Sequence, residues 1–216
     1  MRWYPDALYL GGGVAESTAL SPNPRVSLSG QLVIDGETYK LDRALAGQSH
    51  VWGKKHAYSW LWAHCNDFAG AADTTLELIG ARLVRGRIAL PTIATISLVL
   101  DGETLSLNQL RNIPRNYARW HTSFAHVRGS SLTTRIVAEL SCQPSDMVNA
   151  PYVDPDGQDL FCANTCIGNA TLTVWKRSGF KWLEHRRLEA KGRAHFEIGR
   201  RERDPMIETP HVLVVE

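Results

Sequence analysis

Ser59-Trp60-Leu61-Trp62-Ala63-His64-Cys65-Asn66-Asp67-Phe68 alternates along its length. On an extended strand Trp60, Trp62, His64, Asn66 and Phe68 point one way, and Ser59, Leu61, Ala63, Cys65 and Asp67 the other. One face carries large rings and a few polar atoms, the other is small, and there is almost none of the charge of a solvated strand. Rings interleaved with a His and an Asn fit the wall of a ligand pocket, apolar with a few placed polar groups. A core strand whose polar atoms are satisfied by neighbours fits the same periodicity. Just upstream lie His50, Trp52 and His56, so that three of the seven tryptophans and three of the eight histidines fall within residues 47–66.

Outward from this stretch the chain reads as strand after strand. Val26 to Ile34, Asp35-Gly36 and Thr38 to Leu41 form a hairpin with a type I′ turn signal, and Ile93 to Leu100, Asp101-Gly102 and Glu103 to Leu107 repeat it. Thr75 to Val84, Ala118 to Val127, Thr133 to Cys142, Phe161 to Ile167, Thr171 to Trp175, Lys181 to Leu188 and Gly192 to Ile198 complete the series. His211 to Val215 is a last edge strand or a tail. The turn-rich segment Gln143 to Asp159 reads as a mobile loop or a lid. Leu107 to Tyr117 is a short helix candidate interrupted by Pro114. Residues 1–24, with Gly11-Gly12-Gly13 and Ser21-Pro22-Asn23-Pro24, read as an N-terminal linker or extension, and residues 25–216 as one β domain. Short strands at roughly 8–12 residue spacing predict an all-β antiparallel sandwich or barrel with tight turns and little helix. Trp60, Trp62, Trp120, Trp175 and Trp182 favour a lined cavity over an aliphatic core, because each buried indole N–H needs a partner.

The 216 residues, 44% hydrophobic, suffice to bury a core without staples. A formal charge of +2 gives no global argument for nucleic acid. Basic residues nevertheless crowd the last quarter, from Lys176, Arg177 and Lys181 to Arg200, Arg201 and Arg203. A solvated outer sheet face explains them, and so does a rim that meets anionic lipid headgroups. Cys65, Cys142, Cys162 and Cys166 are too few for a disulfide scaffold. The N-terminus lacks an apolar signal region, and Ile88 to Leu100 is too short to span a bilayer. These features predict a cytoplasmic protein with reduced thiols.

Several familiar chemistries are excluded. His64 and Cys65 point to opposite faces of a strand, so they do not make a nucleophilic dyad. Cys162 and Cys166 on a strand stand about 13 Å apart, too wide for one metal. Gly11-Gly12-Gly13 lacks the Lys-Ser/Thr of a phosphate loop, and neither Gly-x-Ser-x-Gly nor His-Glu-x-x-His occurs. His50 and Trp52 share a face, where the imidazole suits proton transfer near neutral pH as well as a purely structural use. Asp67, Asp73 and Glu77 neighbour the aromatic strand. Their ordinary place is a turn or the surface, but a carboxylic acid in an apolar pocket has a raised pKa and can protonate an alkene.

Gly47-Gln48-Ser49-His50-Val51-Trp52-Gly53 and Trp60-Leu61-Trp62-Ala63-His64-Cys65-Asn66 resemble the His-x-Trp-Gly and Trp-x-Trp pattern of a lipocalin-like superfamily. Its members include tocopherol cyclase, carotenoid 1,2-hydratase, the AttH-type proteins and the CrtC-like Diels–Alderases. Phe161-Cys162-Ala163-Asn164-Thr165, Leu172 to Trp175 and Ala194-His195-Phe196-Glu197-Ile198-Gly199 look like that family's closing strands. The resemblance runs from about residue 25 to 200, mainly to the members' second half, and Ser49 stands where an Asp is common.

The resemblance implies a lipocalin-like barrel holding an isoprenoid-, polyketide- or lipid-like small molecule, and its cyclisation, isomerisation or hydration without a cofactor or metal. It makes His50 the proton-handling group, with Glu77 as a catalytic carboxyl. Trp52, Trp60 and Trp62 would stabilise a carbocation, His64 and Asn66 would orient polar substrate atoms, and Trp120 would join the substrate-binding rings. The resemblance implies a hydrophobic ligand as partner, with either a second copy or a separate first barrel, while the charge pattern offers a membrane contact at the basic C-terminal quarter and no nucleic acid. A non-catalytic carrier and a structural interaction domain remain the alternatives. A cavity under roughly 300 Å³ favours the structural domain, since ligand pockets seldom fall below that size.

Overall fold

Tight turns and alternating strands account for nearly all of the structure. The computed structural model describes residues 1–2, 17–85 and 87–207, with the backbone alone at Arg85. Gly11-Gly12-Gly13 and His211 to Val215 lie outside the described residues. β1 (Ser17–Ile34) and β2 (Glu37–Gly53) form a two-stranded ribbon. Asp35 and Gly36 at its tip have φ of 50° and 82°, the left-handed pair that a type I′ turn requires. β1 begins at Ser17 and so crosses the division expected at residues 24 and 25.

β3 (Ser59–Cys65) and β4 (Thr75–Arg82) follow, then a small ladder of β5 (Val84–Arg85) and β6 (Ile88–Ala89). β7 (Ile93–Leu100), β8 (Glu103–Ser106), β9 (Tyr117–His121), β10 (Phe124–Ser130) and β11 (Thr134–Ser141) come next. β12 (Val148–Val153), β13 (Asp159–Ser178) and β14 (Lys181–Arg200) complete the chain. Apart from the ribbon and the small ladder, these strands form one antiparallel sheet in the order β8-β7-β4-β3-β14-β13-β11-β10-β9, with β12 paired to β13. Helix among the described residues is limited to single 3₁₀ turns at Ile113–Arg115 and Pro144–Asp146, so the helix expected over Leu107 to Tyr117 reduces to three residues before Asn116.

Three strand expectations change. Ala118 to Val127 is two strands, with Thr122-Ser123 as the turn, and the turn flips the parity. Trp120 therefore shares the core with Ala125 and Val127, not with Phe124 and His126. The segment Gln143 to Asp159 holds a 3₁₀ turn at Pro144–Asp146 and the strand β12, which pairs with β13, instead of forming a lid. Phe161 to Ile167 and Thr171 to Trp175 merge into β13, and their partners merge into β14. Register shifts around Gly168 absorb the break as bulges, where extra residues bend the strand without ending it.

The core lies on the small face of β3. Leu61, Ala63 and Cys65 pack with Leu76, Leu78, Ile96, Leu98, Val127, Ile136, Leu140, Leu172 and Phe196, nearly all fully buried. The sheet curls around this core until its ends meet. Asn116 Nδ2 donates to Ala94 O at 2.8 Å and to Leu107 O at 2.6 Å, and Trp120 on β9 lies across Gly80 on β4. No ladder joins β9 to β7 or β8 among the described residues, so side chains close the curl. The expectation of tryptophans converging on a hollow interior is not met. The rings in the core cluster, among the described residues, are Phe68, Trp120 and Phe196, amid aliphatic side chains, while Trp60 and Trp62 stand on the opposite face of the sheet.

Gly199 makes that ring face possible. It pairs with Trp60 across β14 and β3, and a Cβ there would sit 2.2 Å from the indole. Gly199→Ala should displace the Trp60 ring and cost about 1–3 kcal/mol, typical of overpacking. Urea unfolding checks this, and an unchanged midpoint would contradict the contact.

Candidate functional site

Strand register lays out the ring face in three rows. Gly199, Trp60 and Ala81 are directly paired across β14, β3 and β4. Glu197, Trp62 and Ile79 form the next row, and His195, His64 and Glu77 the third. Side chains on alternate residues of one strand share a face, so all three rows project away from the aliphatic core. The base of the ribbon covers them. Ser17 and Ala19 from β1 and Ser49 and Val51 from β2 complete a cavity of about 210 Å³ with His56, Ala57, Trp60, Trp62, Ile79, Ala81 and Glu197.

Glu77 pins the ribbon to the sheet. Contrary to the usual surface place of such a residue, it is 3% exposed. It accepts hydrogen bonds from His64 Nδ1 at 2.7 Å, Trp62 Nε1 at 3.1 Å and, from β1, Ser21 Oγ at 2.9 Å. With three donors converging on it, the carboxyl acts as an acceptor behind the Trp62 ring. Asn66 serves the same end, its Nδ2 donating to Pro24 O at 3.3 Å and Ala46 O at 3.1 Å. His195 Nε2 is buried with no hydrogen-bond partner among the described residues, its ring edge-on to Trp62 at 4.7 Å. Burial, and then the neighbouring His64, hold its pKa below the ordinary imidazole value.

Glu197 lines the cavity itself. It accepts from Trp60 Nε1 at 2.9 Å. Burial raises its pKa above the usual carboxyl range, and the hydrogen bonds from Trp60 and Cys162 and the nearby His56 offset this only in part. Beside it, burial pushes the Cys162 thiol up and the Tyr152 phenol up to about 12, so both keep their protons at neutral pH.

His56 closes the other side of Trp60, stacked on the indole with centroids 5.1 Å apart. Its Nδ1 lies 2.6 Å from Asp154 Oδ1, which also accepts the His56 backbone N–H at 3.2 Å. The Asp154 side chain is fully buried. Burial opposes its charge, but the His56 hydrogen bonds and Arg201, whose Nη1 lies 3.2 Å from Oδ2, outweigh this and hold its pKa low. A carboxylate accepting at Nδ1 fixes the tautomer in which Nε2 is free to accept a proton.

The structure thus separates the sequence-predicted residues. Trp60 and Trp62 line the cavity. His64, Glu77 and Asn66 stand behind it and hold its walls. Trp120 is in the core on the other face of the sheet, its Nε1 donating to Ser59 Oγ at 3.3 Å. His50 and Trp52 stack on each other at 5.1 Å and are exposed, because Ser49 and Val51, the alternate residues of β2, are those that turn inward. The reading of the sequence missed Glu197, His56 and Asp154 as site residues. Alternation on β14 relative to Phe196 and Ile198 carried a signal for Glu197, whereas the pairing of residues 56 and 154 had none. Among the described residues no group of three or more His, Cys, Asp or Glu side chains is placed to hold a metal.

Because the folded chain keeps a proton on Glu197 that the unfolded chain releases, stability should fall as pH rises from the ordinary carboxyl range through the raised value. Glu197→Gln retains an acceptor for Trp60 and removes the titration. Chemical unfolding across that range should show the decline flattened in the variant, and an identical pH profile would contradict the assignment.

A family model described as tocopherol cyclase-like matches residues 26–200. No curated protein and no solved structure matches the chain.

Proposed function

The chain belongs to the tocopherol cyclase-like family, and we propose that it binds a ring-bearing hydrophobic molecule over Trp60 and Trp62 and rearranges it by proton transfer without a cofactor. One observation carries this reading. Glu197, whose pKa burial raises, accepts the Trp60 indole N–H, and His56, oriented through Nδ1 by Asp154, stacks on the same indole, so both line one apolar cavity. A buried carboxyl with a raised pKa suits the giving of a proton, and an oriented imidazole its acceptance.

Glu197 gives its proton to an alkene carbon of the bound molecule. The positive charge that develops on the adjacent carbon lies against the faces of Trp60 and Trp62. An oxygen nucleophile then forms the C–O bond and loses its proton to His56 Nε2, the imidazolium being stabilised by Asp154. If the oxygen is a hydroxyl of the same molecule the product is a cyclic ether, and if it is water the product is a hydrate. His56 returns the proton through solvent at its exposed edge, and Glu197 is reprotonated from solvent. No oxidant or reductant is involved.

At about 210 Å³ the cavity is smaller than common ligand pockets, which favours the structural-domain reading. It suits a ring-sized head, with the remainder of a longer ligand outside the mouth. Against the structural reading stands the chemistry of the walls. A covered sheet face needs an acceptor for the Trp60 N–H, but it does not call for a titratable carboxyl lining the same cavity as an imidazole held by a buried aspartate.

Incubation with a prenylated hydroquinone in D₂O tests the proposal. The wild type should form the chromanol with one deuterium at the protonated carbon. Glu197→Gln and His56→Gln should each lower the rate by about 10²–10⁴-fold while still quenching indole fluorescence on binding. Quenching without turnover in the wild type would leave a carrier, and no quenching would leave a structural domain.

A further inference from the structure

At the far end of β14 from Glu197, two neighbouring hairpin turns carry bare apolar side chains. Phe180, in the β13–β14 turn, is 97% exposed, Leu183 follows it at 54%, and Leu132, in the β10–β11 turn, is 67% exposed. The turns are adjacent, since Arg177 N donates to Thr133 O at 2.8 Å and Thr134 pairs with Lys176. The Phe180 turn is also braced. Gly179 takes the φ of +58° that the bend needs, and Arg177 Nε donates to Gly179 O at 3.0 Å.

Cations surround these tips. Lys176 pairs across the ladder with Leu183, Arg177 with Trp182, and Lys181 adjoins Phe180. The Arg135 guanidinium sits 4.5 Å over the Trp182 ring. Glu184 is the acidic residue within the two turns and their flanks. Asp101 and Glu103 share a surface cleft with Lys176 and His185, and Asp101 is occupied by Arg186 at 2.9 Å.

We propose that these paired turns dock on an anionic lipid bilayer, with Phe180, Leu183 and Leu132 entering the interfacial layer and Lys176, Arg177, Lys181 and Arg135 meeting lipid phosphates. Three turn side chains fall short of the roughly 800 Å² per side that stable protein interfaces bury. A bilayer surface needs no matching area. Apolar tips, an amphipathic Trp182 one ladder step behind them and a ring of cations are the elements that an anionic membrane interface rewards. The docking edge and the Glu197 cavity lie at opposite ends of β14, so the edge is an anchor, and it does not depend on the chemistry proposed for the cavity.

Co-sedimentation of the full chain with vesicles of phosphatidylcholine alone, or of phosphatidylcholine and phosphatidylserine in equal parts, tests this. Binding is expected to the anionic vesicles only, and it should fade with added salt as the charges are screened. Phe180→Ser should weaken it at least tenfold, and Lys176→Gln and Lys181→Gln by roughly fivefold each. Both kinds of variant alter exposed tips, and unchanged unfolding midpoints confirm that they fold. The proposal is overturned if the wild type ignores anionic vesicles or if the variants bind as well as it does. It is equally overturned if wild-type protein self-associates through this edge, seen as a dimer that Phe180→Ser converts to a monomer while vesicle binding persists.

Discussion

The indole N–H groups of Trp60 and Trp62 need acceptors once their rings are covered, and Glu197 and Glu77 supply them across strand pairs. Much of the site follows from this requirement. To lie flat on the sheet, Trp60 needs Gly199 opposite it. To reach the indoles, the two carboxyls must themselves be covered, and burial of a carboxyl is costly without partners. They meet that cost in different ways. Glu77 collects His64, Trp62 and Ser21, and in doing so fastens the ribbon over the rings. Glu197 has Trp60 and Cys162 as donors, which offset only part of the effect of burial, so its pKa is raised. The same geometry that satisfies the two indoles therefore gives the two carboxyls different surroundings.

Strand alternation made half of this legible. The division of β3 into Leu61, Ala63 and Cys65 against Trp60, Trp62 and His64 is visible in the residues, as are the Asp-Gly turns and the all-β class. Which face meets the main core is not, because both sets are apolar enough to be buried. The small set faces the core, where strands from the whole curled sheet crowd together, and the ring set needs the wider space under the ribbon. His50 and Trp52 illustrate a second limit. Their motif is local, but their direction depends on which parity of β2 turns toward the sheet, and that is decided by Ser21 reaching Glu77 from β1. The His56–Asp154 pair spans 98 residues and joins the ring-rich stretch to a segment that reads as a loop or a lid, so no periodicity announces it.

The position of the cavity follows from the filled core. A curled sheet whose interior is occupied by Leu, Ile, Val and Ala side chains has room for a ligand only where another element covers its outside. Here the ribbon base provides that cover over β3, β4 and β14, and the space it leaves suits one ring and a few polar contacts. The family match from residue 26 to 200 covers the sheet and most of the ribbon, while Ser17, Ala19 and Ser21 at the base of β1 precede it.

Trp60 and Trp62 lie outside the aliphatic core, where a small molecule can reach them, while Trp120 lies within it. Titration with 2-naphthol, followed through the indole N–H resonances in two-dimensional nuclear magnetic resonance spectra, reads the three rings separately. The Trp60 and Trp62 signals should shift together at saturation while the Trp120 signal stays in place. A shift of Trp120 with Trp60 and Trp62 unmoved would instead put the binding space inside the curled sheet.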